Sequence, residues 1–216
     1  MSENNFLGIY GGTFDPIHLG HLSAAKEVAE SLAMSEVRML VSATPPHRQQ
    51  PVLSAQQRFD LLSLALKGQN LLVADDSEMI RSGYSYMVDS LAWYKKQQVK
   101  QSLALILGID AFNGLKSWHQ WQDIIKLAHI VVTDRADSDT EIAKELVSFV
   151  DKYRVYEKNK LRQVPSGLLY IQKVTPKAIS STKIKETIAA SGSLEGLVPA
   201  SVAETIRVNN FYKPNN

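Results

Sequence analysis

The chain has 216 residues, of which 44% are hydrophobic and 21% are charged. This composition supports one substantial hydrophobic core and excludes a disordered tail, a collagen-like repeat and a miniprotein. The 24 Lys and Arg residues nearly balance the 22 Asp and Glu residues, which leaves a formal charge of +2. Because binding to nucleic acid neutralises many phosphates, we expect no nucleic-acid partner and only small anionic ligands.

Cysteine is absent from the sequence, which excludes disulfides, thiol nucleophiles, thiolate zinc sites and iron–sulfur clusters. The first residues carry neither the basic region nor the long apolar region of a signal peptide. The longest strongly apolar run, residues 103–109, is far shorter than the roughly 20 residues of a membrane span. We therefore expect a cytoplasmic protein with no membrane partner. Composition favours neither a monomer nor a homo-oligomer.

Short apolar runs alternate with segments of helical period along the chain. The predicted strands are residues 7–10, 37–41, 71–74, 103–107, 129–132 and 168–173. Five helices are predicted, and three of them cover residues 18–33, 182–190 and Ala200–Val208. A fourth starts with a capping box of Ser54 and Gln57 and ends near Gly68. A fifth is capped by Ser85 and runs through Leu91 and Tyr94. Residues 134–165 should form an exposed helix and a loop.

The predicted strands are continuous apolar runs rather than alternating ones, which is typical of parallel strands covered on both faces. We therefore predict an α/β fold, a doubly wound and mainly parallel sheet, with a small helical part over about residues 180–216. The sequence has no internal repeat and no clear linker, so residues 1–216 are expected to form a single domain.

The loop after the first predicted strand is the richest in candidate chemistry. It reads Gly-Gly-Thr-Phe-Asp-Pro-Ile-His-Leu-Gly-His from Gly11 to His21. Two glycines after a strand allow a tight turn and a close approach of backbone N–H groups to phosphate oxygens. His18 and His21 lie three apart near the positive end of a helix dipole, where an anion is favoured. Spacing alone leaves two alternatives, ordinary helix-start residues or a weak metal pair.

Two other segments have side chains suited to phosphate. One combines three hydroxyl residues at a helix start with a lysine one turn on: Ser180, Ser181, Thr182 and Lys185. A simple N-cap with an exposed lysine is the alternative. The other is the pair His47 and Arg48 after two prolines, which suits a lid over phosphates or a rigid turn.

Several further residues have a structural interpretation at this stage. Trp118 and Trp121 lie three apart, which fits core packing as well as stacking on a ring. Asp15 is expected to hold its loop by local hydrogen bonds rather than to bind a metal. His119 and His129 lack ligand geometry and are expected to be structural.

The segment from Gly11 to His21 resembles the HxGH signature of the nucleotidyltransferase superfamily, and ISSTKIK, ending at Lys185, resembles its ISSTxxR signature. Segments that resemble bacterial nicotinate-nucleotide adenylyltransferases are residues 45–48, 83–89, 108–110, 118–121, 198–202 and 210–212. The likeness covers nearly the whole chain. In two places the chain departs from the family, with Lys185 where Arg is usual and Met87 where Thr is usual.

The resemblance implies that the protein transfers the adenylyl group of ATP to nicotinate mononucleotide, giving nicotinate adenine dinucleotide and pyrophosphate without a covalent enzyme intermediate. The implied catalytic residues are His18, His21 and Lys185. The implied ATP site is Gly11, Gly12, Thr13, Phe14, His18, His21, Gly108, Ser180, Ser181, Thr182 and Lys185. The implied mononucleotide site is His47, Arg48, Tyr86, Met87, Asp110, Trp118 and Arg135. Mg²⁺ is expected to arrive on the ATP phosphates, without a metal site in the protein.

Two alternatives to this function remain at the level of sequence. Phosphopantetheine adenylyltransferases and cytidylyltransferases share both signatures but are usually shorter and lack the Pro-Pro-His-Arg segment and Trp118. A nucleotide sensor without turnover is the other alternative, and the presence of both His18 and His21 argues against it. Residue spacing does not separate nicotinate mononucleotide from its amide as the acceptor.

Overall fold

The structure is a computed structural model that describes residues 6–45, 50–97, 102–135 and 141–213. Within these residues the strands are β1 (Phe6–Gly12), β2 (Glu36–Val41), β3 (Leu72–Asp75), β4 (Ser102–Gly108), β5 (His129–Arg135) and β6 (Leu169–Val174). They form one sheet in the order β3-β2-β1-β4-β5-β6, and every neighbouring pair is parallel. The predicted parallel sheet is confirmed, and each predicted strand corresponds to one of these six.

The α-helices of the described residues are α1 (Leu19–Ser31), α2 (Ala55–Ala65), α3 (Ser77–Ile80), α4 (Met87–Gln97), α5 (Ile109–Asn113), α6 (Trp121–Leu127), α7 (Val147–Tyr153), α8 (Ser181–Ala189) and α9 (Ala200–Val208). Helices α1, α2, α8 and α9 bury apolar side chains on one face of the sheet. Helices α4, α5, α6 and α7 cover the other face. The doubly wound α/β fold with a helical C-terminal part is confirmed.

Strand β4 lies near the middle of the sheet and explains why its sequence reads as an unbroken apolar run. All five residues from Leu103 to Leu107 are buried, since side chains on both faces of the strand meet helices. Burying a Leu or Ile side chain completely contributes about 1.5–3 kcal/mol. This strand is therefore a major source of the stability of the sheet.

The turn signals of the sequence were correct at one helix and wrong at another. Ser54 and Gln57 form the predicted capping box of α2, and Gly68 adopts a left-handed φ of 80° after the helix has ended. Ser85 does not cap α4. Its hydroxyl accepts a hydrogen bond from the Thr44 N–H at 3.0 Å, because the loop after β2 lies beside the start of α4.

The segment 134–165 is more ordered than its mixed composition indicates. Strand β5 continues through Arg135, and α7 begins at Val147, which is 45% exposed. Leu146 and Val150 beside it are buried against the sheet, so the exposed helix predicted here is anchored by two core residues. Residues 136–140 lie outside the described part of the chain.

No helix among the described residues is both long enough and apolar enough to cross a membrane.

His129, at the start of β5, is a fully buried structural histidine, as expected from the sequence. Its Nδ1 accepts a hydrogen bond from the Leu168 N–H at 3.2 Å, and its Nε2 lies 3.0 Å from the Val164 carbonyl oxygen. A neutral ring with the proton on Nε2 satisfies both bonds. Burial lowers the pKa of His129 to about 4, because the charged ring would lose its hydration.

This burial predicts a stability that falls in mild acid. Between pH 6.5 and 4 the unfolded chain protonates His129 and the folded chain does not, so the free energy of unfolding falls as the pH falls. The contribution of His129 between pH 7 and 5 is about 2 kcal/mol. We expect His129→Gln to be less stable at pH 7 but to show a flatter pH dependence, measured by urea unfolding at each pH. Leu62→Ala, which removes buried volume but no titratable group, is the control: it should be less stable and keep the wild-type slope.

Candidate active site

A cavity of about 1010 Å³ opens at the carboxyl ends of the parallel strands. Gly11 and Gly12 of β1 and Gly108 of β4 line it. Chain connections from β1 lead outward to β2 on one side, and β4 is its neighbour on the other side. Such a switch in the strand order leaves a crevice between loops, which is where open α/β sheets bind ligands.

The fold brings nearly all of the predicted site residues to this one cavity. Those that line it are Gly11, Gly12, Thr13, Phe14, His18, His21, Tyr86, Met87, Gly108, Asp110, Trp118, Ser180, Ser181, Thr182 and Lys185. His47 and Arg48 lie outside the described residues. Arg135 ends β5, and its side chain is not described. The individual roles of these residues in binding stay predictions.

His18 and His21 are stacked on each other at one wall of the cavity. His18 has an extended backbone and is the N-cap of α1, so the helix begins one residue later than predicted. Its Nδ1 accepts a hydrogen bond from the His21 N–H at 3.3 Å. The two ring centroids are 3.6 Å apart and the ring planes differ by 23°. The cap therefore places the first imidazole directly over the second.

Both imidazoles of this pair are neutral near pH 7 when the cavity is empty. Burial lowers the pKa of His18 to about 4 and holds the pKa of His21 well below its usual value, with His18 as a further cause. The Nδ1 of His21 is buried and has no hydrogen-bond partner among the described residues. An unsatisfied buried nitrogen of this kind is suited to a ligand that brings its own partner.

Gly20 lets the His18 ring pack closely against the first turn of α1. A Cβ atom at this position would lie 3.0 Å from Nδ1 and 3.1 Å from Cε1 of His18. The ring of His21 is enclosed on its other side by Tyr10 and Phe14, which approach it edge-on. The two histidines therefore have little freedom to change rotamer.

Asp15 is tied to distant parts of the chain rather than to its own loop, so the prediction of local hydrogen bonds is wrong: each of its four bonds spans at least 37 positions. Oδ1 accepts hydrogen bonds from the Tyr212 hydroxyl at 2.8 Å and from the Leu53 N–H at 3.4 Å. Oδ2 accepts from the Val52 N–H at 3.1 Å and from the Lys185 ammonium at 3.3 Å. The carboxylate is only 7% exposed, so water screens these contacts weakly.

The second motif begins helix α8 beside the first motif. Ser180 is the N-cap and accepts a hydrogen bond from the Lys183 N–H at 3.2 Å. Ser181 donates its hydroxyl hydrogen to the Pro16 carbonyl at 3.0 Å, and Lys185 reaches Asp15. The positive end of α8 therefore faces the same space as the histidine pair, which favours an anion there.

A second group of aromatic side chains lines the cavity: Tyr86, Trp118 and His119. Trp118 is half-buried and lines the cavity, whereas Trp121 packs against Phe149 in the core with ring centroids 5.3 Å apart. His119 stacks on Tyr86 with ring centroids 4.3 Å apart. His119 is exposed and lines the cavity, and its expected structural role stays a prediction.

Glu78 and Lys177 are cavity residues that the sequence analysis missed. Glu78, in α3, is 4% exposed; it accepts a hydrogen bond from the Ser90 hydroxyl, and its Oε2 has no partner within the described segments. Arg81 donates to the same hydroxyl at 2.5 Å, so the three side chains fix the first turns of α4. Their positions in the sequence could have indicated them, since Glu78 follows the end of a predicted strand and Lys177 precedes the second motif.

Comparison with known proteins identifies the family of this chain. A family model described as cytidylyltransferase-like matches residues 9–187. The probable nicotinate-nucleotide adenylyltransferase of Methylococcus capsulatus is 42% identical, covering 95% of this chain and 99% of that protein. The protein of the same description from Pseudomonas fluorescens is 38% identical, covering 97% of this chain and 98% of its own length. The chain belongs to the nicotinate-nucleotide adenylyltransferase family.

Solved structures agree with this fold. The nicotinic acid mononucleotide adenylyltransferase of Plasmodium falciparum complexed with NaAD superposes with a TM-score of 0.73 at 13% identity, covering 96% of this chain and 97% of that one. The same enzyme complexed with APC gives a TM-score of 0.71 at 14% identity over the same shares. At this level of identity the comparison supports the shared fold.

The two departures from the nicotinate-nucleotide adenylyltransferase pattern both have a place in the structure. Lys185, where the family signature usually has Arg, presents one point charge rather than a planar fork. Met87 extends its methyl group to β1, since a Cβ on Gly11 would lie 2.4 Å from Met87 Cε. The thioether therefore fills space next to the first glycine where the family usually has a hydroxyl.

No group of three or more His, Cys, Asp or Glu residues within the described part of the chain is arranged to hold a metal ion. The buried carboxylate of Asp15 is already engaged by four donors.

Proposed function

We propose that this member of the family transfers the adenylyl group of ATP to nicotinate mononucleotide, giving nicotinate adenine dinucleotide and pyrophosphate. The observation that carries the proposal is the convergence of both motifs on one cavity. The stacked pair of His18 and His21 and the N-terminus of α8 line it together with the aromatic side chains of Tyr86 and Trp118. Relatives with this name at 38–42% identity over nearly the full length support it.

The reaction balances with the two substrates alone. An oxygen of the mononucleotide phosphate attacks the α-phosphorus of ATP and forms a new P–O bond. The bond from the α-phosphorus to the bridging oxygen breaks on the opposite side, and pyrophosphate leaves with the electron pair. Positioning and charge stabilisation dominate catalysis in transfers of this kind, so the protein needs no nucleophile.

The residues of the two motifs form the ATP half of the proposed site. His18 and His21 contact the α- and β-phosphates, and the backbone from Gly11 to Phe14 supplies N–H donors. The hydroxyls of Ser180 and Thr182 and the free N–H groups at the start of α8, that of Ser181 included, bind the triphosphate. The Ser181 hydroxyl keeps its bond to the Pro16 carbonyl, and Gly108 leaves room for the nucleoside. Lys185 adds a positive charge one turn along while it keeps its contact with Asp15.

The aromatic side chains of Trp118 and Tyr86 form part of the acceptor half of the proposed site. A flat, electron-poor pyridine ring stacks well on an indole, which favours Trp118 as its platform. Met87, the first residue of α4, offers its backbone N–H to the nicotinate carboxylate, whereas the Tyr86 N–H is already donated to the Tyr84 carbonyl, so Tyr86 contributes its ring. Asp110 accepts a hydrogen bond from the ribose. His47, Arg48 and Arg135 are the further contacts proposed from sequence for this substrate.

Magnesium enters this proposal as a partner of ATP. Bound to the phosphate oxygens, Mg²⁺ neutralises charge that develops as pyrophosphate leaves. The ion needs few protein ligands when the phosphates hold it. Chain residues then act on the complex through N–H donors and imidazoles.

The cytoplasmic location expected from the sequence also stays a prediction.

The proposed reaction is tested by pyrophosphate release from ATP and Mg²⁺ with each of three acceptors: nicotinate mononucleotide, nicotinamide mononucleotide and phosphopantetheine. We expect release with nicotinate mononucleotide and at most weak release with the others. Faster turnover of nicotinamide mononucleotide would overturn the choice of nicotinate mononucleotide as the acceptor. Turnover of phosphopantetheine would favour a phosphopantetheine adenylyltransferase. Absence of release with all three would leave a nucleotide sensor.

The histidine pair gives a direct mutational prediction. His21→Ala removes a preorganised donor from the transition state, and such losses reduce turnover by about 10²–10³-fold. We expect the variant to keep the wild-type circular dichroism spectrum and to lose at least about 100-fold in kcat. Lys26→Ala, on the exposed side of the same helix, is the matched control. Near-normal kcat in folded His21→Ala would exclude the proposed role.

The low pKa values of the pair predict that ATP binding takes up protons. At pH 7.5 the free protein has a neutral His18, since its pKa is about 4. Phosphate oxygens favour the charged ring and raise the pKa in the complex, so ATP affinity increases as the pH falls. Calorimetric titration in buffers of different ionisation enthalpy measures this uptake, and His18→Gln should reduce it. Equal enthalpies in all buffers would contradict the prediction.

A further inference from the structure

Arg58, in helix α2, has a buried guanidinium that does not line the cavity. The residue is 1% exposed, the least that any charged side chain of the described segments retains. Each of its hydrogen bonds goes to a backbone carbonyl: Thr13 at 2.7 Å, Ser42 at 2.8 Å, Leu53 at 3.2 Å and Ala43 at 3.4 Å. A buried cation thus holds together the loop after β1, the loop after β2 and the segment that leads into α2.

An apolar side chain could fill this part of the core at a lower cost in free energy than a buried guanidinium. Burying a charged group without an ionic partner in contact costs several kcal/mol, and well-packed apolar side chains often do better. Burial lowers the pKa of Arg58, and the charge of Asp15 acts in the opposite direction. Arg58 keeps its charge because arginine cannot be deprotonated in proteins at neutral pH. A positive charge therefore lies permanently behind the loop of the first motif.

The hydrogen bond to Thr13 also determines where the next N–H group points. The C=O and N–H of a trans peptide point in opposite directions. With the Thr13 carbonyl directed at Arg58, the Phe14 N–H is directed away from Arg58. Thr13 and Phe14 line the cavity and Arg58 does not, so this N–H is presented to the ligand side.

Phe14 needs this support because its backbone is strained. Its φ is 49°, in the left-handed region. For a residue with a Cβ this conformation costs about 1–2 kcal/mol. Gly12 beside it is tightly packed as well, since an added Cβ would lie 2.7 Å from the Phe14 ring. The guanidinium bond to Thr13 stabilises the turn in the orientation that exposes the Phe14 N–H.

We infer that Arg58 is a positioning residue for the nucleotide phosphates. It acts through the Thr13–Phe14 peptide, whose N–H it aims into the cavity, and through a fixed positive charge behind that peptide. The inference rests on the proposed function, because it assigns the phosphates of ATP to this wall. It adds a residue from outside both sequence motifs to the nucleotide site.

The test compares the two substrates in variants of α2. Arg58→Met keeps side-chain volume but removes the charge and the donors, and Arg58→Lys restores the charge with fewer donors. We expect Arg58→Met to raise the KM and the calorimetric Kd for ATP by about tenfold or more, since small misplacements of binding groups have large effects. The KM for nicotinate mononucleotide should change by less than about twofold, and Arg58→Lys should lie between.

A matched control separates positioning from stability. Leu62→Ala, in the same helix, opens a cavity in the core and lowers the melting temperature without touching the loop. It should leave the KM for ATP unchanged. Equal rises in KM for both substrates in Arg58→Met, or a rise for ATP in Leu62→Ala, would overturn the inference.

Chemical rescue provides a readout that does not depend on comparing stabilities. Arg58→Ala leaves a space of the size and polarity of guanidinium. Millimolar guanidinium should lower the KM for ATP of this variant towards the wild-type value, whereas methylammonium at the same concentration should not. Rescue by neither ion or by both equally would count against the role of the planar donor set. A wild-type protein that binds ATP in the calorimeter but releases no pyrophosphate would refute the proposed function and leave the Arg58 test intact.

Discussion

The carboxylate of Asp15 holds the candidate site together. It sits in the loop of the first motif and accepts hydrogen bonds from a backbone segment before α2, from Lys185 of the second motif and from Tyr212 near the C-terminal helices. These groups come from separate elements that the sheet alone would not bring into register. Because the carboxylate is buried, removing one donor would leave part of it unsatisfied, and such losses are larger than the hydrogen bond itself gains. The shape of the phosphate wall therefore depends on this contact.

Around that contact, the described residues favour an anion mainly through oriented dipoles. Neutral stacked imidazoles, the N-terminus of α8, backbone N–H groups and one buried guanidinium face or support the same wall. Oriented dipoles of this kind are in place before a ligand arrives, so little reorganisation is needed when a phosphate binds. This explains how a chain with a formal charge of only +2 has a site suited to a polyanion. The field is local, and the surface charges remain balanced.

The sequence predicted the order of strands along the chain, the parallel sheet and most residues of the cavity wall, because continuous apolar runs and local motifs carry that information. It did not predict that His18 caps α1, since capping depends on backbone angles. It assigned Ser85 to its own helix, whereas its partner Thr44 lies in a loop that only the fold brings close. Arg58 was not noticed at all. Its hydrogen bonds go to backbone carbonyl groups of distant loops. Every residue type has such a group, so the sequence does not show which ones Arg58 contacts.

The bond between Tyr212 and Asp15 spans 197 positions of the chain. Such a contact closes a very long loop, and long closures form late in folding because their entropic cost must be met by structure already present. During synthesis, the first motif leaves the ribosome long before its partner exists. The sheet of the nascent protein can therefore form before its phosphate-binding wall is complete. That wall is complete only after Tyr212, which follows α9, has been translated. Residues next to Tyr212 are, for the same reason, a poor place for a fused tag.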